Sequence, residues 1–375
     1  MNVLKKHFPL LRSRNEVMDD IKSNPVLSAT FDTWTDTQQE TFLDYCSGER
    51  GLKICYDPYF KEIFNVEYDK SRLNDLLSSI IGEKVEIITV LPNEGARIAS
   101  ENTLLVTDIL VRLESGSLVN VEIQKIGYAF PGERASCYSA DLLLREYKRL
   151  RDKNKKHFRY SDVMPVYTIV IFEQSPNDLK KAKDYYIHKS ETTFDSGVKI
   201  NLLQKFIFIS LDNFKNILQN RIVAARNSSS DGELCNSILS GDQLLHSRLE
   251  EWLMFLSVDE PELIELLIRY RPYFKNLYSD IYEMCLNTER LMNMYSDILA
   301  ELDHNTVIYM MDEMKAEIDE MKAEMEVAKE KHDRLIAEMD SEIAEKNEAI
   351  AEKDKSIAEK DAEIKRLLEL LNQNH

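Results

Sequence analysis

Between Leu104 and Lys125 the chain reads LLVTDILVRLESGSLVNVEIQK. Two runs rich in Leu, Val, Ile and Thr, Leu104 to Leu113 and Leu118 to Ile123, flank Glu114-Ser115-Gly116-Ser117. A small-residue turn between two β-formers predicts an antiparallel hairpin. Successive strand side chains alternate between faces, so Asp108 shares a face with Val106 and Leu110, and Glu122 shares one with Asn120 and Gln124. The pairing can bring Asp108 close to Glu122, with Gln124 one step along. Two carboxylates on paired strands make a compact oxygen site suited to Mg²⁺ or Mn²⁺. Taken alone, these strands also fit solvated acidic residues on an open sheet face, because Asp and Glu are poor strand formers. The flanking chain decides between the two readings.

That chain is long enough, at 375 residues, for two or three structural units. No apolar run approaches bilayer length, and MNVLKKHFPLLRSR lacks the apolar core of a secretory signal. The five cysteines are scattered without a CxxC pair, which argues against a disulfide framework or a zinc site and fits a reducing cytoplasm. The net charge of −18 is unevenly placed. Met311 to Leu371 holds 20 acidic and 11 basic residues, a net of −9, whereas Pro131 to Tyr160 holds 9 basic and 4 acidic, a net of +5. The overall charge therefore leaves room for a phosphate-binding surface near the hairpin.

Residues 1–50 read as a helical lead-in without visible chemistry. Asp57-Pro58 predicts a helix start, with Asp57 as the cap and Pro58 in the first turn. Phe60, Ile63 and Phe64 form its core face, and Glu62 lies on another side, either solvated or turned towards a metal site. Leu73, Leu76, Leu77, Ile80 and Ile81 predict a second helix ending near Gly82. Val85 to Leu91 is the first strand, so the order is helix, then three strands. Pro131 to Arg151 reads as a long helix on which Arg134 and Tyr138, four apart, are neighbours. Packed beside the hairpin, Arg134 can grip a phosphate bidentately, with Tyr138 hydrogen-bonding or stacking; a surface Arg beside a half-buried Tyr fits the same spacing.

The apolar run PVYTIVIF (Pro165 to Phe172) suits a strand covered on both faces, and Lys205 to Leu211 is another strand. The polar span between them holds Tyr185, Tyr186 and a lone His188, read as structural. From Leu211 the pattern turns helical, interrupted by a loop at Asn227 to Gly232. Helices are expected over Leu244 to Val258, Glu260 to Tyr270 and Asp280 to Leu302.

The last segment is repetitive. From Met311 to Met339, apolar or small residues recur at alternating spacings of three and four. Ile336, Ile343, Ile350, Ile357, Ile364 and Leu371 then recur every seven, and IAEKNEA, IAEKDKS and IAEKDAE repeat in the text. This is a coiled-coil pattern with a phase change near Leu335 to Ile343. Lys346, Lys353 and Lys360 at the partner positions make the second half weak, and a single solvated helix is the alternative to an oligomer.

Together, D-P-Y-F-K (Asp57 to Lys61), the strand Asp108, V-E-I-Q (Val121 to Gln124) and R-x-x-x-Y (Arg134 to Tyr138) resemble the recombination-promoting nuclease and transposase group of the PD-(D/E)XK superfamily, over roughly residues 56–212. The resemblance implies an α/β fold: a restriction-endonuclease-like αβββαβ core with a mixed central sheet, joined to a helical accessory region and a C-terminal coiled coil. The expected division is 1–50 lead-in, 51–215 nuclease-like core, 216–304 helical region and 305–375 coiled coil. It implies a Mg²⁺- or Mn²⁺-dependent DNA endonuclease in which Asp108 and Glu122 ligate the metal, with the carbonyl of Ile123 as a third oxygen. Gln124 stands where the superfamily usually has Lys and can orient water without carrying charge. Arg134 and Tyr138 would serve the phosphate, and Asp57, Lys61 and Glu62 would be accessory. The competing expectation is an inactive nuclease-fold scaffold presenting its coiled coil to partners. Either way DNA, a homo-oligomer and no membrane are the expected associations.

Overall fold

Local capping fixes where the first helices begin. The computed structural model describes residues 3–91, 109–126, 132–227 and 244–373. Ser13 and Glu16 exchange side-chain and backbone hydrogen bonds as a capping box for α1 (Arg14–Ser23). Asn24 caps α2 (Pro25–Asp32), and Thr35 with Gln38 forms a second box for α3 (Asp36–Ser47). Gly48 ends α3 at φ +68°, a left-handed conformation that glycine adopts without steric cost.

The helix α4 (Asp57–Ile63) begins at the Asp-Pro pair, but Asp57 is not its cap. Asp57 lies inside the first turn, and its Oδ2 accepts a 2.7 Å bond from Lys61. The helix α5 (Val66–Ile81) is kinked at Asp69 (φ −153°, ψ 95°): the Asn65 side chain, accepting from the Glu67 N–H, caps a short first turn, and the Asp69 side chain, accepting from the Ser71 N–H, caps the part that carries the apolar stripe. Its face of Leu73, Leu76, Leu77 and Ile80 is fully buried, and Gly82 closes it at φ +93°.

A six-stranded mixed sheet follows, in the order β1-β2-β3-β4-β6-β5. Its strands are β1 (Ile87–Val90), β2 (Ile109–Leu113), β3 (Leu118–Ile126), β4 (Val166–Gln174), β5 (Ile187–Lys189) and β6 (Gln204–Ser210). β1, β2 and β3 pair antiparallel, β3, β4 and β6 pair parallel, and β5 closes the far edge antiparallel. Parallel strands need a crossover, and α6 (Gly132–Asn154) lies in the connection between β3 and β4. Gly116 completes the turn between β2 and β3 at φ +88°. Leu104 to Asp108, the first half of the strand expected there, lies outside the described residues. So does most of the loop expected at Asn227 to Gly232; Asn227 itself ends α8 (Leu211–Asn227). The polar span after β4 carries α7 (Asn177–Lys181) and β5, neither of which its composition announces.

The two sheet faces have different covers. Ile109, Val111, Val119, Val121, Ile169 and Ile207 face the main core, which the N-terminal helices and the helices after β6 complete. Leu110, Leu118 and Val166 pack instead on Leu142 of α6, while Val170 and Phe172 pack on its Ala135 and Tyr138. Trp252 on α9 (Arg248–Ser257) is fully buried, and its indole meets Phe64, Phe255 and Phe274 at 5.1–5.7 Å between ring centres. The helix expected over Asp280 to Leu302 is divided. α10 (Pro261–Tyr270) and α11 (Pro272–Met284) precede a break, after which Asn287 accepts from the Arg290 N–H at the start of α12 (Thr288–Gln373).

The chain divides into two units, Met1–Asn305 and Thr306–His375. Within the second unit Ile343, Ile350, Ile357 and Ile364 are all more than half exposed along one row. Cys46, Cys55, Cys137 and Cys285 are free thiols. Among the described residues, no helix is long and apolar enough to cross a membrane.

Candidate active site

β3 is the strand on which the chemistry concentrates. It lies between β2 and β4, and its alternation sends Val119, Val121 and Ile123 into the main core. The same alternation sends Asn120, Glu122 and Gln124 to the face beneath α6. Polar side chains at such a position must find partners, because burying a charge alone is costly. Asn120 Nδ2 donates to Glu122 Oε1 at 2.9 Å, and both side chains are essentially buried, at 0% and 1% exposure. Among the described residues, Asn120 Oδ1 and the adjacent Thr168 Oγ1 are buried and find no hydrogen-bond partner, and the two residues face each other in the β3–β4 register.

Asp108 lies outside the described residues. The last described rung of the β2–β3 ladder is Ile109 opposite Val121. Gln124, paired in register with Phe172, is partly exposed near the end of the strand. Among the described residues there is no group of three or more His, Cys, Asp or Glu side chains able to hold a metal. The donors that are described still suit a hard cation. A buried carboxylate stands beside an amide oxygen that no proton donor satisfies, and both are oxygen ligands.

α6 supplies the cationic side. Tyr138 is buried against Val170 and Phe172, the register partners of Glu122 and Gln124. Its hydroxyl accepts from Arg134 Nε at 2.9 Å and Nη2 at 2.7 Å, and Arg134 is otherwise exposed at the start of the helix. The i, i+4 spacing thus brings these two side chains together, with the tyrosine as anchor and the guanidinium at the surface.

A second cluster fixes α6 to β2. Glu146 is buried and accepts from both ends of the Arg112 guanidinium, at 3.0 and 2.8 Å. Arg149 adds two further bonds to the same carboxylate, at 2.9 and 2.6 Å. Burial pushes the Glu146 carboxyl upward, but the bonds from Arg149 and Arg112 outweigh it and hold the carboxyl below its ordinary value.

The accessory residues expected on α4 sit elsewhere. Lys125 Nζ lies 3.8 Å from the ring centre of Tyr56, which places Tyr56 on the β3 face opposite Glu122. Asp57 is engaged by Lys61, and Glu62 by Arg290 at 2.6 Å. None of these three contacts leads to Glu122. Two residues gain importance over the sequence reading, Asn120 and Lys125. The signal for Asn120 was present: it is a polar residue two positions from Glu122, flanked by Leu118, Val119 and Val121, where an amide rarely occurs without a bonding role.

Comparison with known proteins adds one finding. The family model described as PD-(D/E)XK nuclease family transposase matches residues 55–311, more than half of the chain. No curated protein and no solved structure gives a significant match. The matched span contains the whole mixed sheet, α6 and the Asn120–Glu122 pair. The chain belongs to the PD-(D/E)XK nuclease family transposases.

Proposed function

We propose that this protein is a metal-dependent DNA endonuclease whose site is built on β3 and α6. The observation that carries the proposal is the buried Glu122, hydrogen-bonded by Asn120, on the face covered by the helix bearing Arg134 and Tyr138. Asp108 is proposed as the second carboxylate because the antiparallel register, Ile109 opposite Val121, would set position 108 opposite Glu122 if it continued by one residue. Asp108, Glu122 and the carbonyl of Ile123 would hold Mg²⁺ or Mn²⁺. Such an ion lowers the pKa of bound water and offsets charge on the phosphate.

The chain's own groups have distinct roles. Asn120 holds one carboxylate oxygen of Glu122 and so orients the group. Gln124 orients the attacking water by hydrogen bonds and contributes no charge. Arg134, steadied by the Tyr138 hydroxyl, binds a phosphate oxygen of the DNA backbone. Attack of water on phosphorus breaks one P–O ester bond and leaves a phosphate and a hydroxyl at the nick. The tail from residue 305 would join copies of the chain.

The test is conversion of supercoiled plasmid to nicked or linear DNA with Mg²⁺, Mn²⁺, Ca²⁺ or EDTA. Wild type is compared with Asp108→Ala and Glu122→Ala. Cleavage with Mg²⁺ or Mn²⁺ that both variants and EDTA abolish supports the assignment. Equal cleavage by wild type and variants sinks it. DNA binding without cleavage in any buffer favours the scaffold alternative, with the uncharged Gln124 as its cause.

A further inference from the structure

We infer that the C-terminal helix associates with the same helix of a second copy in parallel, with both chains running in one direction. The inference rests on the association proposed above and adds its direction. The structure leaves a long apolar row uncovered: Met314, Ile318, Met321, Met325, Leu335 and Met339 are exposed, and so are the four isoleucines from Ile343 to Ile364. Each half presents an apolar row, with a phase change between them, and the charges beside each row choose how a second copy lies against it.

In the first half Ile318 and Met325 take position a of a heptad, and Met314, Met321 and Leu335 take position d. The flanks then separate by sign. Position e holds Lys315, Lys322 and Lys329, and position g holds Glu317, Glu324 and Glu338, with Lys331 as the exception. In a parallel coil, g of one helix faces e of the other five residues on, which joins Glu317 to Lys322 and Glu324 to Lys329 of the second copy. In an antiparallel coil, g faces g and e faces e, so glutamates meet glutamates and lysines meet lysines.

The second half repeats the same logic with different letters. Ile364 is followed by Leu367 and Leu368, whereas Ile343, Ile350 and Ile357 are each followed by Lys at i+3 (Lys346, Lys353, Lys360) and by Asn or Asp at i+4 (Asn347, Asp354, Asp361). At 3.5 residues per turn these lie roughly 50° to either side of the isoleucine row. A basic row (Lys346, Lys353, Lys360) therefore borders the isoleucines on one side, and Asn347 with the acidic Asp354 and Asp361 borders them on the other. Two such helices pair unlike rows only when parallel. Lys346 also approaches Glu342 of its own helix at 3.4 Å, an exposed pair too weak to compete with an assembled seam. Both halves thus select one direction, although their patterns are out of phase.

The full-length protein tests this. Cys137 and Cys235 are replaced by Ser, and single cysteines are introduced as Met321→Cys or Ile357→Cys. These sites lie about 54 Å apart along a helix, so in a parallel coil each links only to its own counterpart. The expected result is a light-scattering mass of at least two chains, self-linking of each variant on oxidation, and no 321–357 link after mixing and exchange. Links found only between 321 and 357 overturn the direction while leaving the association intact. A one-chain mass for wild type overturns the association itself. Charge variants give an answer independent of the cysteines. Glu317→Lys with Glu324→Lys should weaken association at least tenfold, and adding Lys322→Glu with Lys329→Glu should restore it. No weakening by the first pair overturns the parallel arrangement, because an antiparallel seam merely exchanges one like-charged contact for another.

Discussion

Asn120 and Glu122 lie two residues apart on β3, and the amide of the first donates to the carboxylate of the second at 2.9 Å in a space without solvent. The bond restricts how Glu122 can turn. A carboxylate intended for a metal profits from such restriction, because ligand orientation is set by the groups behind the ligand.

Asn120→Leu removes this donor while keeping side-chain bulk. Loss of the partner removes a buried hydrogen bond to a charged group, a cost of about 1.5–3 kcal/mol. The expected outcome is lower urea stability by that amount, with weaker Mn²⁺ binding by calorimetry. Unchanged metal affinity in a folded variant removes Asn120 from the site.

Arg134→Ala deletes the proposed phosphate contact and leaves Tyr138 packed in its pocket. DNA affinity measured by anisotropy in Ca²⁺ should fall to a similar extent on unrelated sequences. The plot of log affinity against log salt should become shallower by about 1. Arg134→Lys should not recover the loss fully, because an ammonium lacks the planar fork that bonds Tyr138 at two nitrogens. A slope identical to wild type contradicts the phosphate role.

Glu146→Gln breaks a buried pair and leaves Arg112 without its counter-charge, which costs about 3–5 kcal/mol. The pH dependence has a definite sign. The folded-state carboxyl titrates below its ordinary value of 4.5, so its contribution is complete above that value and is lost as pH falls through the folded value. Melting curves of wild type and variant should therefore be furthest apart near neutrality and converge in acid. A gap that widens on acidification refutes the assignment.

Trp252→Ala empties the centre of the aromatic cluster and removes the indole N–H that bonds Asp75 at 2.9 Å. A loss of about 3–5 kcal/mol is expected for such a truncation. Chemical denaturation checks it, and a loss below 1 kcal/mol would show that the helices after β6 are not needed by the sheet.

Periodicity alone located the elements with strong patterns. The alternation of Leu118 to Ile123, the apolar run at Pro165 and the amphipathic stretch after Pro131 all became the expected elements. β5 and α7 escaped because short elements in polar sequence have no periodic signal, and β5 is a strand through its pairing with β6. The break before Thr288 escaped because an amphipathic pattern can continue in phase across a capped interruption. In the site, strand parity put Glu122 and Asn120 on one face, but only coordinates show that they bond. For Asp57, Lys61 and Glu62 the helix was legible while the direction it faced was not, since the groups that orient it, Lys125 against the preceding Tyr56 and Arg290 against Glu62, lie far away in sequence.

The contact between Lys125 and Tyr56 bears on how this lineage could change. Lys125 is one residue beyond the place where related nucleases usually carry a lysine, yet its side chain belongs to the other side of β3. A one-residue slip of the strand would bring it across, but would also turn Val121 and Ile123 out of the core. Evolution therefore cannot recruit this lysine by sliding the strand. A lysine in the place of Gln124 has to come from a substitution at position 124 itself, a partly exposed site near the end of the strand.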